Sequence, residues 1–309
     1  MGWFDLRRVW PVLVAAALTT TVQAFVMASS LSRPAAMFGS ALDYRISVWG
    51  PLRGLAAGLN PYDPGNVAYH DSISDTAAAL HLPAVLVLSA PTAVFELNTG
   101  YLIFAVASCL MMWLAAIILF APQDRRSVWA AIVGGVLLTV SGPGEEVLRL
   151  GQLTAFVVLG LALVIRYPRS WVGAVGFALV LICPQFAIVL AIFLVGLRRW
   201  TEVWRGSLVA VVVSLPVVVV AMVEAGSPND FINGVLRNLQ LAGGVGNATN
   251  RMDLPGRYSQ GSVLWSVVAI VVVCGLSWAS YSRRITPNPE LWLGVVAVGL
   301  IAAFSMPYY

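Results

Sequence analysis

Apolar runs long enough, or nearly long enough, to cross a bilayer recur along this chain, and they decide what it can fold into. They cover residues 9–31, 101–121, 128–148, 153–166, 171–182, 184–197, 206–223, 262–280 and 291–306. A helix needs about 20 apolar residues to span a hydrocarbon core of about 30 Å. Inside that core every backbone N–H and C=O must be satisfied within the protein, which leaves helices as the spanning element for runs of this kind. The fold class that follows is all-α, a polytopic membrane protein of about nine transmembrane helices. Residues 1–309 read as a single integral membrane domain.

Composition agrees. The chain is 59% hydrophobic and 10% charged, against about 25% charged in a soluble domain. All 18 basic residues are Arg. They sit in short loops between apolar runs, where the positive-inside rule operates, so the net charge of +4 does not point to nucleic acid. Cys109, Cys183 and Cys274 each lie in or beside an apolar run without metal-ligand spacing, and read as small buried hydrophobes.

Arg7 and Arg8 precede the first run, which is too long for a signal-peptide core and is followed by further spans. The chain therefore starts with a retained helix whose N-terminus is cytoplasmic, in a plasma membrane. The stretch 82–95 carries Pro83 and Pro91 and is too short for a full span, which suits a re-entrant or interfacial segment. If it does not cross, the loops with Arg7/Arg8, Arg125/Arg126, Arg166/Arg169, Arg198/Arg199/Arg205 and Arg283/Arg284 all fall on the cytoplasmic side. The outer side then receives two long loops, 32–81 and 224–261, and the short apices at 149–152 and 183–184.

The hairpin 171–197 has Arg at both ends, yet each arm is only about 12–14 residues. Such arms rise about 20 Å, short of the core thickness. The apex at Cys183-Pro184 should stop at membrane depth, beside a polar cavity open to the outside.

Candidate chemistry gathers on the outer side. Residues 43–57 suit a helix on the membrane surface, with Asp43 either as an N-cap or first-turn acid or as a general base near the lipid headgroups. Gly58 suits a C-cap, and Asn60-Pro61-Tyr62 a turn. Glu145, Glu146 and Arg149 precede Gly151-Gln152. They read either as an ion pair within one helical turn or as site residues at membrane depth, with the Gln152 amide available to a ligand oxygen.

Asp43-aromatic-x-aliphatic, then Gly-x-Asn-Pro-Tyr at 58–62, Gly151-Gln152, and a Pro-tipped short hairpin ending in Arg-Arg-Trp at 198–200 occur in that order. In this, the chain resembles the polyprenyl-phosphate-sugar-dependent glycosyltransferases of family 87, with the type C membrane fold. The resemblance implies transfer of a mannosyl or related sugar from a polyprenyl phosphate to a glycolipid or polysaccharide outside the membrane, with Asp43 as catalytic base. Arg45, Asn60, Tyr62, Arg149, Gln152, Pro184 and Arg257 are the candidate donor- and acceptor-binding residues. The partners are then the lipid-linked sugar, the acceptor and membrane lipids. The chain departs from the family's usual residues at Ser47, His81-Leu82-Pro83 and Cys183, the last where a Lys is common. It also stops at Tyr308-Tyr309, where relatives continue, which suggests a fragment or shortened member.

The leaving group is already a phosphate, so donors or cations to hold its charge matter more than a general acid. Arg149, Arg237, Arg251, Arg257 and Gln152 can serve. His70 and His81 are possible helpers, and Asp63, Asp71 and Asp75 stand behind Asp43. Asp71 and Asp75 form no Asp-x-Asp pair, so no metal or other cofactor is expected. Two other readings stay open: a transporter or flippase of lipid-linked sugars, and a non-catalytic membrane partner.

Overall fold

The computed structural model describes residues 6–31, 41–63, 83–121 and 123–245, with the side chains of 6–8, 185 and 238–245 left aside. Among them the regular elements are all helices. α1 (Leu6–Leu31) is followed by α2 (Leu42–Tyr44), which runs through a π-helical stretch (Arg45–Trp49) into α3 (Gly50–Ala56). Then come α4 (Pro83–Ala93), α5 (Leu97–Phe120), α6 (Arg125–Val140) and α7 (Gly142–Leu150). The rest are α8 (Thr154–Arg166), α9 (Trp171–Leu181), α10 (Pro184–Gly196), α11 (Trp200–Glu224) and α12 (Pro228–Val245).

Three helices are long and apolar enough to cross a membrane: α1 over Val9–Leu31, α5 and α11. α6 and α7 are long and apolar enough only as a pair, bent by 55°, which makes them either a broken span or a re-entrant loop. The described residues thus hold three to four candidate spans. The runs at 262–280 and 291–306, with Arg251, Arg257, Arg283/Arg284, His70, His81, Asp71, Asp75 and Cys274, lie outside them. Large apolar side chains stay exposed along these helices, among them Leu18 and Phe25 on α1 and Val211 and Val219 on α11. In lipid such faces need no cover.

The shorter helices follow the expected pattern. α9 and α10 have 11 and 13 residues, so they rise about 16 and 20 Å. Cys183 is the extended residue between them, and Pro184 occupies the first turn of α10, where its missing N–H costs nothing. Close packing depends on small residues, as is usual between membrane helices. A Cβ on Gly160 of α8 would stand 2.5 Å from the Gly176 carbonyl oxygen of α9. One on Gly206 of α11 would stand equally close to the Ala174 oxygen. α8 also packs on α5, and α11 on α4.

Three expectations need correction. The run 128–148 is not one helix: Ser141 ends α6 and caps α7, its Oγ accepting the Gly144 N–H at 3.3 Å, with Pro143 in the new first turn. Gly144 is essential there, since a Cβ would meet the Leu138 carbonyl oxygen. α11 begins at Trp200, earlier than the apolar run at 206. The stretch 224–261, expected as a loop, contains α12, started by Ser227, whose Oγ accepts the Asp230 N–H at 3.1 Å and donates to the Asp230 carboxylate at 2.6 Å.

The early start of α11 has a cause. Arg199 donates to both oxygens of Glu202, from Nε at 2.8 Å and from its terminal nitrogen at 2.5 Å. It also donates to the Val164 carbonyl at 2.6 Å, near the end of α8, and the Arg169 N–H donates to Glu202. Arg205 stacks 4.8 Å from the Trp171 ring centroid. These contacts gather the 166–170 turn and the 198–205 segment at one end of the bundle, as their shared Arg content predicts.

Candidate functional site

The segment that opens with α2 and the end of α7 meet through backbone contacts. At the end of α7, Gly151 adopts φ 69°. Its N–H reaches the Leu148 carbonyl at 3.2 Å and the Gln152 N–H reaches the Val147 carbonyl at 2.9 Å. This is a Schellman closure, and it fixes where Gln152 points from. The Tyr101 hydroxyl lies 2.9 Å from both the Leu148 and Arg149 carbonyls, and the Ala41 N–H donates to the Arg149 carbonyl at 2.8 Å. Ala41 takes φ 61°, an uncommon conformation for a residue with a side chain, held here by that bond.

Asp43 sits in the first turn of α2. The cap position belongs to Ala41, which makes no side-chain capping bond, so Asp43 is not the N-cap. Its carboxylate lies instead close to Gln152, Glu146 and Arg149 at the end of α7. Burial pushes its pKa up to about 6; the Gln152 side chain opposes the rise, Glu146 adds to it and Arg149 lowers it. Arg149 is bound within its own helix turn, donating to Glu146 from Nε at 2.8 Å and from a terminal nitrogen at 2.6 Å. The ion-pair reading of Glu146 and Arg149 therefore holds.

The neighbours of Asp43 are anchored. Tyr44 is fully buried, its ring 5.0 Å from Phe104 and 6.2 Å from Tyr101, and its hydroxyl donates to Thr92 at 3.0 Å. Thr92 passes the chain on to the Ser89 carbonyl. The Trp49 indole and Arg53 both donate to the Phe95 carbonyl at 3.1 Å. α4 and the turn after it thus hold the α2–α3 segment in place. Arg45 lies in the π-helical stretch, where partial burial lowers its pKa.

The Asn60 turn has a different setting. Gly58 takes φ 78° and closes α3 as expected, with Leu59 N–H on the Gly54 carbonyl at 2.9 Å. Asn60 Oδ1 accepts the Tyr62 N–H at 3.0 Å, and both residues are buried. The Tyr62 ring meets Phe231 of α12 edge-on at 5.7 Å, and Arg237 lies 3.6 Å from the Asp63 carboxylate. A Cβ on Gly234 would stand 2.9 Å from Asn60 Nδ2.

The structure therefore brings Asp43, Arg149 and Gln152 together with Glu146. It seats Asn60 and Tyr62 against α12, and it places Pro184 at the hairpin apex, on a helix packed against α9 and α11. Arg257 lies outside the described residues. Tyr101 was not singled out from sequence, and Tyr44 entered only as the aromatic residue after Asp43. A tyrosine near the start of an apolar helix is a faint signal, since its hydroxyl must find a buried partner.

These features define an integral membrane protein with a partly buried carboxylate and an ion pair where two helix ends meet. The chain matches glycosyltransferase family 87 over residues 80–307, and it belongs to that family. It is accordingly a glycosyltransferase with membrane helices. The matched stretch includes Arg149, Gln152, Pro184 and Arg257; Asp43, Arg45, Asn60 and Tyr62 precede it. Comparison with curated proteins and with solved structures gave no match.

Proposed function

We propose that this glycosyltransferase moves a sugar, mannose before arabinofuranose, from a polyprenyl-phosphate donor to a glycolipid or polysaccharide acceptor on the outer membrane face. Asp43 is the general base. The observation that carries this reading is the carboxylate itself: partly buried beside the end of α7, close to Gln152, and held near pKa 6. A base with that pKa is ionised at neutral pH yet basic enough to accept a proton in the transition state.

The acceptor hydroxyl attacks the anomeric carbon while Asp43 takes its proton. The bond from that carbon to the phosphate oxygen breaks, and the lipid phosphate leaves with the electron pair, so inversion is expected by analogy with inverting glycoside hydrolysis. The departing phosphate needs donors. Arg149 offers only a share of its charge, because Glu146 already takes two of its N–H groups. Arg45 and Arg257 are the stronger candidates for the phosphate, with Asn60, Tyr62 and Pro184 shaping the lipid and acceptor sides. The reaction as written requires neither metal nor other cofactor. The same reading includes a type C fold of about nine spans in one membrane domain, a cytoplasmic N-terminus in the plasma membrane, and a cavity open to the outside.

The test is transfer of labelled mannose from polyprenyl-phosphate mannose to a glycolipid by purified protein. Turnover that needs Asp43 supports the reading. Movement of intact lipid-linked sugar across vesicles without transfer would replace it with a transporter.

A further inference from the structure

We propose that the seam between α9 and α11 is a binding site for an anionic phospholipid, with Arg205 and Arg169 on the headgroup phosphate and the acyl chains along the apolar faces that follow. The proposal does not depend on the role of Asp43. Gln152 precedes α8 and Arg166 ends it, so this seam lies about 20 Å along the bundle from the Asp43 site.

Charge selects the ligand. Between residues 153 and 223 the basic residues are Arg166, Arg169, Arg198, Arg199 and Arg205, and the one carboxylate is Glu202. Glu202 is buried and closed on Arg199, so the two cancel in the core and the surface around them stays cationic. Arg166 and Arg169 are exposed, and Arg205 is half-buried. Among the described residues, no carboxylate pairs with any of these three. Arg205 stacks 4.8 Å from the Trp171 ring centroid. A stacked guanidinium keeps its N–H fork in its own plane, open to two phosphate oxygens. Glu202 also takes the Arg169 N–H, which fixes the 166–170 turn beside the start of α11.

The surroundings set the depth of the ligand. Trp171, Trp200 and Trp204 are exposed, as indoles are where headgroups meet acyl chains. Beyond them the exposed faces turn apolar, with Val172 and Val175 on α9 and Leu208 and Val212 on α11. A phospholipid placed here has its phosphate level with the Trp and Arg side chains and its tails beside those apolar residues. α9 and α11 approach closely, Gly206 against the Ala174 carbonyl, so one headgroup can reach both helices. A free anion would make no use of the apolar faces. A zwitterionic lipid would bring a second cation to a surface that is already cationic.

The test uses the full-length protein in mild detergent with equal amounts of dioleoyl phosphatidylglycerol and dioleoyl phosphatidylcholine, and native mass spectrometry counts the lipids retained. Wild type should hold phosphatidylglycerol over phosphatidylcholine by about ten-fold. Arg169→Gln with Arg205→Gln should bring that ratio below about two-fold, while Arg125→Gln with Arg126→Gln, at the start of α6, leaves it unchanged. An equal fall in both double variants means diffuse surface charge and overturns a site at α9 and α11, as does an unaltered ratio in the first. Displacement of phosphatidylglycerol by equimolar polyprenyl phosphate assigns the seam to that lipid and overturns the phospholipid reading. Should the first double variant fail to fold, Arg205→Lys decides instead. It keeps the charge but loses the planar fork, and the ratio should fall by about three-fold; no fall contradicts the proposal.

Discussion

A Cβ added to Gly151 would stand 2.5 Å from the Cβ of Tyr44. The α7 end and α2 therefore touch almost backbone to backbone, one residue from Asp43 on one side and one from Gln152 on the other. Gly151 also sits at φ 69°. Gly151→Ala meets both obstacles and should cost about 2–3 kcal/mol, with a larger loss of transfer than of stability. Thermal unfolding beside Gly142→Ala and Gly226→Ala checks it. Gly142 has open space around it, and Gly226 has a left-handed φ of 80° with open space, so the three variants separate steric overlap from backbone strain.

The buried Arg199–Glu202 pair makes a second prediction. Its side chains are 8% and 1% exposed, and together they bind the Val164 carbonyl and the Arg169 N–H. Arg199→Leu or Glu202→Leu alone should destabilise the protein by about 3–5 kcal/mol, because each leaves a buried charge without its partner. The double variant should recover part of that loss. Unfolding of all three in the same detergent measures it, and equal or additive losses would argue against a coupled pair.

Much of this was legible before any coordinates. Apolar runs mark helices because a backbone in apolar surroundings must satisfy its own hydrogen bonds, and they located α1, α5, α8, α9 and α10 closely. The Gly58 cap and the Glu146–Arg149 pair followed from local rules. What was missed needed spatial context. The Ser141-Gly142-Pro143-Gly144 break lies within a run that is apolar on average, so hydropathy alone passes over it. α12 is polar, Asn-rich and Gly-bearing, and its Ser227 cap is its best local signal. The role of Tyr101 depends on carbonyls 47 and 48 residues away, which no periodicity reveals. Gln152 was marked as a site residue, but its closeness to Asp43 came from the fold.

The seating of the Asn60 turn on α12 is testable by itself. Phe231→Ala removes the edge-on partner of Tyr62 and opens space beside it. It should destabilise by about 1–3 kcal/mol, with cavity loss set against partial exposure. Gly234→Val should do at least as much harm by forcing the Asn60 side chain away. Hydrogen exchange at residues 58–63 should rise in both variants and stay unchanged around Asp43.

Asp43 links pH to stability in a defined direction. Its folded pKa of about 6 lies above the ordinary 3.8, so the folded state binds the proton more tightly than the unfolded chain. The stabilisation that proton brings is fully present below pH 3.8 and is lost as pH rises through about 6. At pH 8 the ionised carboxylate costs up to about 3 kcal/mol, discounted to about 1–2 kcal/mol for partial exposure. Asp43→Asn should therefore be the more stable protein at pH 8 and match wild type near pH 4, as followed by thermal unfolding across pH.

The central claim is that Asp43 takes the acceptor's proton during sugar transfer. The most direct measurement is the rate of mannose transfer from polyprenyl-phosphate mannose to a glycolipid at pH 7.5, wild type against Asp43→Asn, with both shown to be folded. The account predicts robust transfer by the wild type, with an acidic limb near pH 6, and a loss of about 10²–10⁴-fold in the variant. Equal rates in the two proteins would contradict it.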